Sequence, residues 1–339
     1  MKLSTFRGEV WTNVHPYVLN EIVKANDTMV DGNNGADKFS LEAGRLMQEN
    51  FKNKIFWTYT INGSAANVLA LKSMLGRCDA VICAEQTHIN TYECGAFEAI
   101  VGNKILSVFS PDGKLTPEMI DNVMLAHKKH KYIPRVVAIT EPTEFGTLYT
   151  IEELKSLCAH AHEKGMYVFI DGARLANALQ ALNVSIGELI EETGVDAFTF
   201  GGTKAGAMFG EMVVFRHEEF AKNIQYSQKQ SLQHFDKSKF LGVQIECLLK
   251  SGLYLVNAEK SNATAKYLEK RLKEVGIKIY YPVQTNMVFC VIEPELLVKI
   301  TEKFDLHYWD EFEHVVRLGV TYGTTEKDVD ALIDIITGK

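Results

Sequence analysis

Two residues in this chain have the type and setting to do chemistry together. Asp171 ends the apolar stretch Phe169-Ile170-Asp171-Gly172-Ala173-Arg174, and Lys204 closes Phe200-Gly201-Gly202-Thr203-Lys204-Ala205-Gly206 further along. A lysine amine condenses with an aldehyde to form a Schiff base. A carboxylate keeps a pyridine nitrogen protonated, so that the ring withdraws electrons. Pyridoxal 5′-phosphate (PLP) is the cofactor that needs both groups. Two further segments stand at the ends of apolar runs: Asn62-Gly63-Ser64, which reads as a turn and helix N-cap, and Glu141-Pro142-Thr143-Glu144.

The elements that must position these residues follow from the apolar pattern. Ile55 to Ile61 reads as a strand and Ala65 to Leu75 as a helix ending at Gly76. Val81 to Cys83 and Lys104 to Phe109 read as strands. Thr116 to Lys129 reads as a helix with Pro117 at its first position, and Arg135 to Thr140 as a strand. Thr150-Ile151-Glu152-Glu153 is a capping box for a helix that stops at Gly165. Met166 to Ile170, Ala197 to Phe200 and Glu211 to Phe215 are apolar runs suited to strands buried on both faces. This alternation predicts an α/β fold with a mostly parallel, mixed sheet. In such sheets ligands sit beyond the carboxyl ends of the strands, so the four segments are expected to converge.

Beyond Lys222 the pattern changes. A polar segment, Gln225 to Lys239, precedes a helical pattern from Leu241 to Ser261 interrupted at Gly252, and a second helix from Ala263 to Val275. Lys278 to Tyr281, Met287 to Val291 and Val315 to Leu318 read as strands, and Thr325 to Ile336 as a final helix. The expected organisation is an N-terminal arm (1–15), a large domain (16–240) and a smaller α+β domain (241–339).

Composition narrows the function classes. The chain has 339 residues, 46% hydrophobic, enough for a large core. A net charge of −7 argues against nucleic-acid or anionic-membrane partners. The six cysteines are dispersed, which predicts free thiols and a cytoplasmic location. No apolar run reaches the roughly 18 residues of a membrane span. His160 and His162, two apart on a predicted helix, cannot share a metal, and no metal site is expected.

Several motifs in order resemble the threonine aldolase and β-eliminating lyase family of fold-type-I PLP enzymes over nearly the whole chain. They are Gly63-Ser64-Ala65-Ala66-Asn67, Thr87-His88-Ile89, Glu93-Cys94-Gly95-Ala96, Thr143-Glu144-Phe145-Gly146-Thr147, and the two stretches that hold Asp171 and Lys204. The resemblance implies a PLP-transferase-like large domain. It implies that Lys204 bonds the cofactor, Asp171 pairs with the ring nitrogen and His88 stacks on the ring. Gly63, Ser64 and Thr203 would take the phosphate. Arg174 and Arg317 resemble the residues that clamp the substrate carboxylate, a task suited to the planar guanidinium fork.

The chain also departs from the family pattern. Glu144 stands where many members have a histidine that acts on the substrate hydroxyl. Phe6-Arg7-Gly8-Glu9 replaces a serine and an aspartate, and Gly8 cannot supply a hydroxyl. Gly32-Asn33-Asn34-Gly35-Ala36-Asp37 replaces the usual Tyr-Gly-x-Asp. The activity implied is cleavage of L-threonine or L-allo-threonine to glycine and acetaldehyde, with Glu144, His88 or a water as base. A β-eliminating lyase releasing pyruvate and ammonia, a PLP-binding paralogue without aldolase activity and a PLP-free α/β binding protein are the alternatives. The resemblance further implies a homodimer or homotetramer with active sites at the interface, where Lys237 and Lys239 resemble residues that reach a neighbouring cofactor.

Overall fold

Among the described residues, seven strands form one sheet in the order β1-β7-β6-β5-β4-β2-β3. The computed structural model describes residues 3, 5–29, 31–126 and 132–338. The strands are β1 (Phe56–Thr60), β2 (Asp79–Ala84), β3 (Lys104–Val108), β4 (Ile133–Thr140), β5 (Tyr167–Asp171), β6 (Ala197–Gly201) and β7 (Glu211–Phe215). β2 to β6 pair in parallel, whereas β7 runs antiparallel to both β6 and β1. Apolar clusters lie on both faces, one around Ile82, Ile139, Ile170 and Phe198, the other around Val81, Ala138, Phe169 and Val213. Such double coverage explains why these strands are runs of apolar residues rather than alternating patterns.

A second, antiparallel sheet holds β8 (Met287–Val291), β10 (Val315–Gly319) and β9 (Tyr308–Asp310), in that order. Its core includes Leu268, Val288, Val316, Leu318 and Leu332. It also includes Phe6, which is fully buried. Leu3 bridges Phe304 and Arg7 bridges Gly319, so the segment expected to be an N-terminal arm is stitched onto the small sheet.

Several boundaries differ from the sequence reading. The predicted break near Asn262 is absent: one helix runs from Leu253 to Glu274, while the interruption read at Gly252 is present, with a left-handed φ of 64°. The preceding helix, Lys239–Ser251, packs Leu241 and Ile245 into the core of the large sheet rather than the second core, which begins at Ala265. Gln225 to Lys239 contains a short helix, Ile224–Gln230. Lys278 to Tyr281 contributes only an isolated bridge, Ile279 to Cys290. The helix after Pro117 is described to Ala126; the remainder of its expected span, 127–129, lies outside the described residues.

The carboxyl ends of β1, β4, β5 and β6 share one edge with the amino end of β7, and three glycines let the chain segments there approach. A Cβ at Gly172 would stand 2.0 Å from the Thr199 carbonyl oxygen, and one at Gly201 2.3 Å from that of Ala173. At Gly202 it would meet the Gly210 oxygen at 2.4 Å. Backbone bonds fill the space instead: Gly172 N–H donates to Thr199 Oγ1 (2.8 Å) and Gly201 N–H to the Gly172 carbonyl (3.1 Å). Gly172→Ala must push the two strand ends apart, and is expected to cost about 1–3 kcal/mol. Denaturant unfolding checks this, and wild-type stability in the variant would contradict the close-approach argument.

Candidate active site

The edge opens into a cavity lined by Val10, Asn62, Gly63, Ser64, Asn67, His88, Thr140, Pro142, Glu144, Asp171, Ala173, Arg174, Thr203, Lys204 and Glu211. Every sequence-selected site residue except Arg317 lies on this wall. Arg317, on β10, instead lines a neighbouring recess and stacks its guanidinium 5.0 Å from the Trp309 ring. Burial and the charge of Arg174 lower its pKa.

Asp171 ends β5 and is held from two sides. Its Oδ2 accepts from Asn67 Nδ2 (2.8 Å), and its Oδ1 from the Ala173 backbone N–H (3.0 Å). Asn67 also donates to Glu93 Oε1 (2.9 Å), which in turn bonds His88 Nδ1 at 2.8 Å. A continuous chain therefore runs His88–Glu93–Asn67–Asp171. Burial alone would lower the His88 pKa, but the Glu93 hydrogen bond and the charges of Glu144 and Asp171 raise it. Asn67 and Glu93 fell within motifs yet received no role from the sequence. Asn67 is a polar residue in an otherwise buried helix run, whereas Glu93 is a buried carboxylate in a bend flanked by exposed residues, and no local pattern marks it.

Lys204 follows β6 in a one-turn helix, Gly202–Ala205. Burial and the charge of Arg174 lower its pKa, against the opposing pull of Glu9, Asp171 and Glu144. This favours the neutral, nucleophilic amine. Glu144 sits in a tight turn closed by Thr143 N–H to the Thr147 oxygen (2.9 Å). Its carboxylate is buried against the cavity and accepts no hydrogen bond among the described residues.

Arg174 is paired with Glu9, Nε to Oε1 at 2.8 Å, which leaves both Nη atoms without a protein acceptor among the described residues. Glu9 also accepts from Asn286 Nδ2 (2.5 Å). Burial would raise the Glu9 pKa, yet Arg174 and Lys204, with those hydrogen bonds, lower it to about 2. The segment Phe6 to Glu9 thus lacks a hydroxyl at Gly8 but brings a carboxylate that orients Arg174, a role the sequence did not disclose.

The donor set fits PLP. Asn62 caps the helix Gly63–Met74 by accepting from Ala65 N–H (2.9 Å), so the N–H groups of Gly63 and Ser64 at that helix start line the cavity. Helix starts of this kind bind phosphate. A Cβ at Gly63 would meet nothing within 4 Å, so that backbone is open to a ligand. The Thr203 hydroxyl leans on Glu211 in a geometry too poor to satisfy it, and Asn67 Oδ1 is also buried without a partner. Buried polar atoms left so are those a bound group would complete.

Other expectations change. Lys239 is buried, with Nζ donating to the carbonyls of Ala25 (3.0 Å) and Thr28 (2.6 Å), so it cannot reach a neighbouring cofactor. Lys237 is exposed. His160 and His162 bond different carboxylates, Asp121 (3.0 Å) and Asp196 (2.8 Å). In the segment 32–37, Asp37 is fully buried and caps the helix Lys38–Gln48, away from the cavity.

Residues 22–294 match the family described as beta-eliminating lyase. A low specificity L-threonine aldolase of Pseudomonas sp. (strain NCIMB 10558) is 36% identical over 272 residues, 79% of each chain. The solved structure of Leishmania major threonine aldolase superposes with a TM-score of 0.92 at 30% identity, over 98% of both chains. Aspartate aminotransferase from Thermus thermophilus shares the fold at a TM-score of 0.72 and 17% identity, covering 96% of this chain and 88% of the other.

The Glu9–Arg174 pair makes a stability prediction. Glu9 has a folded pKa of about 2 against an ordinary 4.5, so its stabilisation is full above pH 4.5 and is lost as pH falls toward 2. Glu9→Gln leaves a buried arginine without its counter-charge and is expected to cost about 3–5 kcal/mol at neutral pH. That difference should narrow across the same acid window in urea titrations. A gap constant with pH would contradict the pairing.

Proposed function

The chain belongs to the beta-eliminating lyase family, and on that footing we propose that it is a PLP-dependent aldolase. It cleaves L-threonine or L-allo-threonine, and related β-hydroxy-α-amino acids, to glycine and an aldehyde. The observation that carries this reading is the convergence of Asp171, Lys204, Gly63 and Ser64 on one cavity beyond the strand ends. When bound, PLP supplies an aldehyde that joins an amino group and a protonated ring that accepts the electron pair of a bond broken at the α-carbon.

The chain's own residues do the rest. Asp171, fixed by Asn67 and the Ala173 N–H, would hold the ring nitrogen and its proton. Gly63, Ser64 and Thr203 would take the phosphate, and the half-buried His88, oriented by Glu93, would lie on the ring face. The free Nη atoms of Arg174, with Arg317 nearby, would grip the substrate carboxylate. That grip selects which bond at the α-carbon lies perpendicular to the ring, and so which bond breaks. Glu144, buried and unpartnered, would accept the β-hydroxyl proton. Lys204, with its lowered pKa, would serve as nucleophile and then return a proton to the α-carbon.

The active unit in this reading is a homodimer or homotetramer with interface active sites. Val10 lines the cavity while remaining 64% exposed, and Ile61, Met208, Tyr226 and Leu232 are exposed apolar side chains. Partial closure by a second copy would cover such surface. Lys237 is then the remaining basic candidate for a contact across that interface. A cytoplasmic location is supported by six free cysteines, and no helix among the described residues is long and apolar enough to cross a membrane.

Lys204→Ala is expected to lose the visible absorbance of the protein–cofactor complex and to reduce turnover by about 10³-fold or more. An unchanged spectrum would displace Lys204 as nucleophile. Glu144→Gln should lower kcat by about 10²–10⁴-fold with KM little changed, and a wild-type kcat would assign the base to His88 or water. Product analysis on the threonine isomers completes the test: glycine and acetaldehyde are expected, whereas pyruvate and ammonia would indicate elimination.

A further inference from the structure

One buried acid in the cavity has no part in the reaction above. Glu211 is the first residue of β7, the strand that runs against its neighbours, and this reversal brings its amino end to the edge where the other strands finish. Its row in the sheet is Thr60, Glu211, Gly201, directly under the turn that leads into Asn62 and Gly63. The side chain is 4% exposed and lines the cavity beside Ser64 and Thr203. Glu211 Oε2 accepts the Gly202 N–H at 2.9 Å. A carboxylate is an odd neighbour for a phosphate cup, because two like charges screened from water repel strongly.

We propose that Glu211 is a proton-carrying ligand of the cofactor phosphate, so that the cofactor is held together with one proton on this side chain. The inference rests on the PLP reading of the cavity. The charged groups facing Glu211 leave room for that proton. Burial pushes its carboxyl up to about 7; the Thr203 hydroxyl, the Lys204 charge and the Gly202 N–H pull it down, and Asp171 pushes it up. The other cations on the cavity wall have acidic partners of their own, Arg174 with Glu9 and His88 with Glu93. A phosphate dianion therefore meets N–H and O–H groups, and Glu211 joins them by donating an O–H while its second oxygen keeps Gly202. Phosphate binding raises its proton affinity further, and the proton comes from solvent.

Pyridoxine 5′-phosphate tests this, since it has the phosphate and the ring but no aldehyde, and so separates phosphate binding from Lys204 chemistry. Calorimetric titrations of wild type and Glu211→Gln, in buffers of different ionisation enthalpy between pH 6.5 and 8.5, give Kd and proton uptake. The glutamine keeps an acceptor for Gly202 and offers an N–H donor at every pH. Ionisations of the ligand and of the remaining site are common to both proteins. Across that range the wild-type Kd is expected to rise about tenfold more than the variant's, with wild type taking up more protons near neutral pH. Parallel profiles with equal uptake would overturn the assignment, as would zero uptake by wild type, which needs no variant to fold. Absence of binding of either pyridoxine 5′-phosphate or PLP by wild type at any pH would instead remove the cofactor reading itself.

Discussion

The ends of β5 and β6 must lie almost in backbone contact for Asp171 and Lys204 to face one cavity. Parallel pairing sets the strands side by side, but side chains at residues 172 and 201 would hold their ends apart. With glycine at those positions, the N–H of Gly201 reaches the carbonyl of Gly172, and the two functional side chains leave the sheet as neighbours. The rest of the site is arranged around that contact. The helix start at Gly63 arrives from β1 on one side, and the Glu144 turn from β4 on the other.

Charge organises the cavity once the backbone has shaped it. Five of the ionisable groups that line it or lie directly behind it form two separate sets. His88, Glu93, Asn67 and Asp171 are one hydrogen-bonded chain, in which a neutral amide spaces two carboxylates that would otherwise repel. Glu9 and Arg174 are a second, closed pair whose shifts agree in direction: the acid is lowered and the base raised. Lys204 lies between the sets, and its charge is disfavoured by burial and by Arg174. An amine whose charge is disfavoured, an acid fixed in position and an arginine with free Nη atoms are the result of that partition.

The small sheet takes part through the N-terminal segment. Phe6 anchors in its core, Arg7 bridges Gly319 and forms an ion pair with Asp305, and Glu9 then reaches Arg174 beyond β5. Asn286, just before β8, holds the same carboxylate. Arg174 is thus tied through Glu9 to both cores.

Much of this was legible in the sequence. Apolar runs ending in Asp171 and Gly201, a capping box at Thr150 and a strand spanning Glu211 to Phe215 are local signals, because burial on both faces and helix capping act within a few residues. Boundaries that failed, such as the further break placed near Asn262 beside the one at Gly252, turn on which of several helix-compatible residues leaves the helix, and packing decides that. Asp171, Lys204 and the Gly63-Ser64 pair could be singled out because they lie where a recognisable strand ends or a helix starts, whereas His88, Thr203, Arg174 and Arg317 were named from the family resemblance. Asn67, Glu93, Glu9 and Glu211 could not be singled out. Their function is to contact residues distant in the chain, and only the tertiary fold, through the reversed strand β7 and the returning N-terminal segment, brings them to the cavity. Hydrogen bonds and charge pairing are short-ranged, so the sequence determined the elements and their chemistry, while the fold decided which charges meet.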